Sequence, residues 1–316
     1  MSWETICAIL LFLVGLGLII KGGDVFVDAA SWMAEASGMP KFLVGATVVS
    51  IATTLPELFA SCIAAAGGSA EIAIGNAVGS VTANTGLILG VSVIFMPLAI
   101  RRGQLGAKAG LMLLAIGALL AFCLNGALTL TESVLLLAVF ALYIAENIRS
   151  ASRSREKEAR PAVTRKILLI NLAKFAIGAA ALAVGSNLLV DNGQYLARLL
   201  GVSERVIAIT LIAIGTSLPE LVTAVTALVK KQGSMSVGNI LGANIIDMTM
   251  ILPVCAFLSG GTLTVPAASY GVDIPVCLGV AAVALIPTLI CKKFHRAQGV
   301  AMVALYVGYL VYSVLM

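Results

Sequence analysis

FLVGATVVSIATTLPELFASCIAAA, residues 42–66, is apolar enough to cross a bilayer, yet Pro56 interrupts it and Glu57, its only charged residue, follows at once. Residues 206–229, VIAITLIAIGTSLPELVTAVTALV, repeat the arrangement with Pro219 and Glu220. Both features are expensive at that depth. Proline removes a helical hydrogen bond, and an ionised side chain at the bilayer centre costs about 3 kcal/mol or more. A carboxylate kept there is a functional-site candidate by default.

The composition fits a bilayer throughout. Of 316 residues, 60% are hydrophobic and 11% charged, with a mean hydropathy of +1.07; a soluble domain carries roughly 25% charge. The sequence lacks the two-residue alternation of a membrane barrel, so helices are the expected spanning elements. The six cysteines are scattered without paired spacing and read as small core hydrophobes. The first apolar run has Glu4 and no basic residue before it, so it reads as a membrane helix rather than a secretory signal.

Apolar runs broken by glycine, proline or charge predict ten spans: 5–36, 40–66, 71–98, 105–124, 129–148, 164–199, 204–229, 234–258, 271–291 and 297–315. Between the fifth and sixth lies the basic segment IRSASRSREKEARPAVTRK. With that linker in the cytoplasm, the loops holding Lys41, Arg101, Arg102, Lys108, Lys230, Lys231, Lys292, Lys293 and Arg296 fall on the same side, which orients the chain with both termini outside. The linker reads as a solvated, topology-setting loop, and the net charge of +5 as an orientation signal rather than a sign of nucleic-acid binding. Asp24, Asp28 and Asp191 are expected near helix ends.

A shift of 163 residues aligns the halves without a gap from Gly22 to Ile88. Thr53, Pro56, Glu57, Gly75, Asn76 and Gly79 then fall on Thr216, Pro219, Glu220, Gly238, Asn239 and Gly242. Each copy holds an odd number of spans, so the second enters from the opposite side. The expectation is an all-α polytopic membrane protein of two inverted five-helix repeats, 1–148 and 164–316, joined by the linker 149–163, with helices 2, 3, 7 and 8 interrupted. Inverted repeats with broken helices meeting near the midplane are the architecture of secondary transporters.

The interruptions gather one kind of donor. Glu57, Glu220 and Asp247 supply carboxylates, Asn84 a carboxamide, and Thr53, Thr54, Thr216, Ser217 and Ser80 hydroxyls; the prolines free backbone carbonyls near Thr53 and Thr216. The sole histidine, His295, lies in a basic loop. Oxygen-only sets suit hard cations such as calcium and sodium, whereas zinc and copper favour nitrogen or sulfur. Each hydroxyl has a competing role, because serine and threonine on membrane helices often bond their own backbone, and the motif glycines read as close-packing points.

At these residues the sequence resembles the cation/calcium exchanger superfamily, in particular its microbial sodium/calcium antiporters. The resemblance covers both halves and rests on TTLPE and GTSLPE, followed about twenty residues later by GNAVGSVTAN and GNILGANIID. It implies that Glu57, Glu220, Thr53 and Thr216 form a calcium centre, with Asn84 and Asp247 beside it. It further implies one flanking sodium site from Ser80, Ser217 and the Ala213 carbonyl, and another from Thr54 and the Ser50 carbonyl. The chain departs from the pattern at Ala52-Thr53-Thr54, at Val81 and at Ala243, which has no oxygen where Ser80 has one. The flanking site beside Ala243 is therefore expected to be weaker, differently coordinated or absent.

The expected activity is calcium export in exchange for sodium by alternating access in the cytoplasmic membrane, with a proton-coupled calcium or other divalent-cation antiporter as the alternative. Spans one and six would slide past the motif core, a motion that the resemblance implies. A membrane hydrolase using the two glutamates would explain neither the repeat nor the hydroxyls. No cofactor is expected, the ions being cargo, and a functional monomer is expected.

Overall fold

The computed structural model describes residues 2–96, 102–153, 163–202 and 215–315. Arg101, Arg205, Ala213, most of the linker and the first half of the seventh predicted span lie outside the described residues. The described helices are α1 (Trp3–Ser37), α2 (Lys41–Thr53), α3 (Leu55–Ala66), α4 (Ala70–Phe95), α5 (Arg102–Cys123), α6 (Leu130–Arg153), α7 (Arg165–Leu199), α8 (Leu218–Val229), α9 (Gly233–Leu258), α10 (Ser269–Cys291) and α11 (Arg296–Leu315). Among the described residues, eight helices are long and apolar enough to cross a membrane, or nine when α2 and α3, bent by 44°, count as one span. The chain is an all-α polytopic membrane protein.

Polar composition and burial run opposite to those of a soluble fold. The helices that carry the glycine and asparagine motifs lie innermost: 72% of the spanning window of α4 and 83% of that of α9 are buried, against 17% for α6 and 11% for α7. Leu10, Leu13, Leu135, Leu142, Leu169 and Ile177 face outward, as lipid-facing residues do. Cys123, Cys255 and Cys277 are buried, and all six cysteines are free thiols.

Small residues set how closely the helices approach. A Cβ on Gly15 would stand 2.8 Å from the Gly185 carbonyl oxygen, and one on Gly185 would stand 2.9 Å from that of Gly15. Gly22 faces Gly178 in the same way, at 3.2 Å from its carbonyl oxygen. Backbone therefore meets backbone where α1 crosses α7, and the stacked rings of Phe26 and Phe175, 4.6 Å apart, close the gap beside the crossing. A second close crossing joins α2 to α9: a Cβ on Gly45 would collide with the Met235 carbonyl, and one on Gly238 with the Phe42 carbonyl.

Two short strands, β1 (Ala127–Thr129) and β2 (Thr262–Thr264), pair antiparallel with Leu128 opposite Leu263. They tie the α5–α6 connection to the α9–α10 connection, so these two connections lie on one side of the helix bundle.

Three sequence expectations change. Lys108 is not a loop residue: α5 begins at Arg102, so Lys108 sits well inside it, fully buried, its ammonium 5.7 Å from the centre of the Phe42 ring. Its long aliphatic stem let it enter the packing at a point where the hydropathy reading placed a boundary. Asp24 and Asp28 lie in the interior of α1 rather than near its end, where both face the Lys230 ammonium at 3.4 and 2.7 Å; Asp191 likewise lies within α7. The fifth span runs to Arg153, so the helix continues into the first residues of the basic linker.

Candidate cation site

The site is built from two breaks that have nearly the same shape. Thr54, at φ −84° and ψ −3°, ends α2, and Pro56 is the second residue of α3. Ser217, at φ −87° and ψ 8°, precedes α8, where Pro219 is again second. Proline fits the first turn of a helix, where its missing amide is no loss, so Pro56 and Pro219 each sit where a helix starts, and Pro56 does so just after α2 ends. Hydrogen bonding resumes at once: the Leu58 amide reaches the Thr54 carbonyl at 3.0 Å, and the Leu221 amide reaches that of Ser217 at 2.9 Å.

This geometry puts Glu57 and Glu220 in the first turns of α3 and α8, where helix dipoles favour negative charge. Both side chains are buried in the core of the molecule. Asn76, from α4, donates to the Glu57 carbonyl at 3.3 Å and to Ser61 Oγ at 2.8 Å, bracing the start of α3.

The motif helices supply the facing groups. Asn84 and Asp247 each begin a π-helical turn, Asn84–Leu89 in α4 and Asp247–Ile251 in α9, at positions 163 residues apart. Such wide turns displace a helix locally and are frequent at functional sites. Asn84 Nδ2 donates to Asn244 Oδ1 at 3.1 Å, and Asn244 Nδ2 donates to Thr85 Oγ1 at 2.8 Å. The chain of amides uses up the Asn84 donor and leaves its Oδ1 free to accept.

Buried oxygens without a hydrogen-bond partner concentrate here. Both oxygens of Glu57, Glu220 and Asp247 lack one, as do Asn84 Oδ1, Ser80 Oγ, Thr216 Oγ1 and Ser217 Oγ. Leaving a buried polar group unpaired costs about 1–3 kcal/mol, and more for a charge. Ten such oxygens from seven residues form a donor set of the kind that hard cations prefer. The three carboxylates also interact with one another, Glu57 with Glu220 and Asp247, and Asp247 with Glu220. Among the described residues, no group of three His, Cys, Asp or Glu side chains is compact enough to hold a metal alone. Hydroxyl, carboxamide and backbone oxygens must complete any shell.

The other expected residues differ in availability. Thr53 Oγ1 donates to Asn239 Oδ1 at 3.2 Å and to the Ser50 carbonyl at 3.3 Å; Thr54 Oγ1 donates to the same carbonyl at 2.6 Å. The Ser50 carbonyl, expected to be a free ligand, also accepts the Thr54 amide and is engaged by its own helix. Both threonine hydroxyls also lie beside the Glu220 carboxylate. Ala243 is buried and offers no side-chain oxygen. Asn239, Asn244 and Thr85 bond to the site's own groups without having been singled out in the sequence. The repeated Gly-Asn pairs were a signal for Asn239, and Asn244, which stands where the first copy has Val81, lies in the quoted motif GNILGANIID.

Broken helices of a membrane protein that turn a set of unpaired oxygens inward define an ion-handling membrane protein. Residues 7–148 and 170–315 match the family model described as sodium/calcium exchanger protein. The chain belongs to the sodium/calcium exchanger family. It is 30% identical to sodium/calcium exchanger MaX1 of Methanosarcina acetivorans over 96% of this chain and 97% of that protein. It is 33% identical to inner membrane protein YrbG of Escherichia coli over 80% of each. Its structure superposes on the sodium-calcium exchanger NCX_Mj, soaked with sodium and strontium, with a TM-score of 0.85 and 30% identity, covering 97% of this chain and 99% of that one.

Proposed function

We propose that this chain is a secondary active antiporter that exchanges calcium for sodium by alternating access and exports calcium across the cytoplasmic membrane. The observation that carries this reading is the cluster of unpaired buried oxygens from the two proline breaks and from α4 and α9. Family membership and the likeness to sodium/calcium exchangers over nearly the whole chain support it.

In this reading Glu57, Glu220, Thr53 and Thr216 hold calcium, with Asn84 and Asp247 at the middle of the site. Ser80, Ser217 and the Ala213 carbonyl take sodium on one flank, Thr54 and the Ser50 carbonyl on the other. Three ionised carboxylates leave one negative charge unmatched by calcium, whereas several sodium ions match all three. Asp247 is then protonated or solvated when calcium is bound. One cavity that takes either cargo, but not both, gives exchange when each is released on the opposite side. The missing hydroxyl at Ala243 favours a second reading, in which protons replace sodium as the coupling ion.

The proposed architecture is ten spans in two inverted five-helix repeats, 1–148 and 164–316, joined by a cytoplasmic linker at 149–163, with both termini outside and the monomer as the working unit. Two contacts support it. Gly15 and Gly22 are the repeat counterparts of Gly178 and Gly185, and Gly15 meets Gly185 while Gly22 meets Gly178, the reciprocal contact of a two-fold relation. The β1–β2 pairing joins the fourth and eighth connections, which agrees with an even number of crossings between them and so with the reading of 204–229 as one span.

Calcium uptake into proteoliposomes tests the function. A sodium gradient is expected to drive uptake, a proton gradient alone is not, and Glu57→Gln should reduce it at least a hundredfold. Uptake indifferent to the sodium gradient would refute sodium coupling, and uptake that survives Glu57→Gln would refute the site.

A further inference from the structure

Ahead of the break, α2 contains a π-helical turn, Gly45–Val49. The Ser50 amide, which in an α-helix would bond the Ala46 carbonyl, bonds instead to the Gly45 and Thr47 carbonyls. The Ala46 carbonyl is thereby turned out of the regular ladder, towards α9, where a Cβ on Gly242 would stand 2.9 Å from its oxygen. A third helix meets it there: the hydroxyl of Tyr143, from α6, donates to the Ala46 carbonyl oxygen. Tyr143 is 1% exposed and is the largest fully buried side chain among the described residues. Phe42, one turn earlier on α2, is covered by the buried Lys108 of α5. The wide turn is thus gripped on one side by α5 and α6 and pressed on the other against the glycines of α9.

The grip lies one turn before the site. Ser50, Thr53 and Thr54 follow the wide turn directly, all buried, and Thr53 reaches across to Asn239. A π turn inserts one extra residue, so its loss would rotate every following side chain by about 100° about the helix axis. Thr53 and Thr54 would then no longer face Glu220.

We propose that Tyr143 is a positioning residue for cation binding: its hydroxyl holds the Ala46 carbonyl in the wide turn and so fixes the rotation at which Thr53 and Thr54 face the site. The inference rests on the function proposed above. The hydroxyl touches no ion, and it acts on calcium and sodium alike because both use the same face of α2.

The test is transport in proteoliposomes by the native chain, Tyr143→Phe, Tyr143→His, which keeps an N–H donor, and Tyr309→Phe, which removes a hydroxyl bonded to Asp273 at 2.9 Å instead. Tyr143→Phe should raise the KM for calcium and for sodium together, about fivefold each, while the turnover at saturation changes less than twofold. Tyr143→His and Tyr309→Phe should stay within twofold of native KM. A folded Tyr143→Phe with native KM for both ions overturns the proposal, as does an equal shift in Tyr309→Phe. If only Tyr143→His folds, native KM values support the proposal and raised ones overturn it; if neither folds, the hydroxyl serves folding alone and the proposal fails. Absence of sodium-driven uptake by the native chain would instead be a failure of the proposed function.

Discussion

At the scale of single residues, Asp247 and Asn84 are the informative pair. They begin equivalent wide turns in α9 and α4, yet one is a carboxylate and the other a carboxamide. Asp247→Asn would make the two halves alike at this position and remove the charge that calcium leaves unmatched. Sodium-dependent transport should then show a KM raised several-fold, while the calcium KM moves less than twofold; an equal loss for both ions would contradict the charge assignment. Glu57 and Glu220 were legible in the sequence because each is the lone charge in an apolar run. Lys108 and Tyr143 were not. A lysine at the edge of an apolar segment reads as a flank, and a tyrosine in an apolar helix reads as packing, until the partners from α2 are in place.

At the scale of elements, the sequence foretold the breaks at proline, but the interruptions it led one to expect in the third and eighth spans are instead wide turns within the continuous helices α4 and α9. Proline marked both breaks, and each turned out to be the second residue of a new helix with a carboxylate in its first turn. These wide turns carry no such mark, since GATVV, NTGLIL and DMTMI hold no proline and share no common residue pattern. The close crossing of α2 and α9 gives a test at this scale. A Cβ on Gly238 would collide with the Phe42 carbonyl, a backbone atom that no side-chain rotation can move. Gly238→Ala should therefore cost about 3 kcal/mol, the upper end of ordinary overpacking. It should appear as a lower melting temperature in detergent, with calcium failing to restore native stability. An unchanged melting temperature would show that the two helices can part without loss.

At the scale of the whole molecule, the duplication explains why the site needs both halves of the chain. The first half supplies Pro56, Glu57 and Asn84 and the second Pro219, Glu220 and Asp247, and in the proposed architecture the second set enters from the reverse direction. The shift of 163 residues made this pairing readable, and the reciprocal contacts of Gly15 with Gly185 and Gly22 with Gly178 agree with it. The two halves are not identical. Lys230 links to Asp24 and Asp28, whereas its counterpart is Gly67, so only one half carries that ion-paired tether to α1. The central claim is that calcium and sodium compete for one cavity built from both copies. Equilibrium binding of radioactive calcium to the purified chain, titrated with sodium, tests it most directly. Sodium should displace calcium completely and with a steepness above one, and Glu57→Gln and Glu220→Gln should each abolish calcium binding. Calcium that stays bound at saturating sodium, or that binds normally to either variant, would contradict the account.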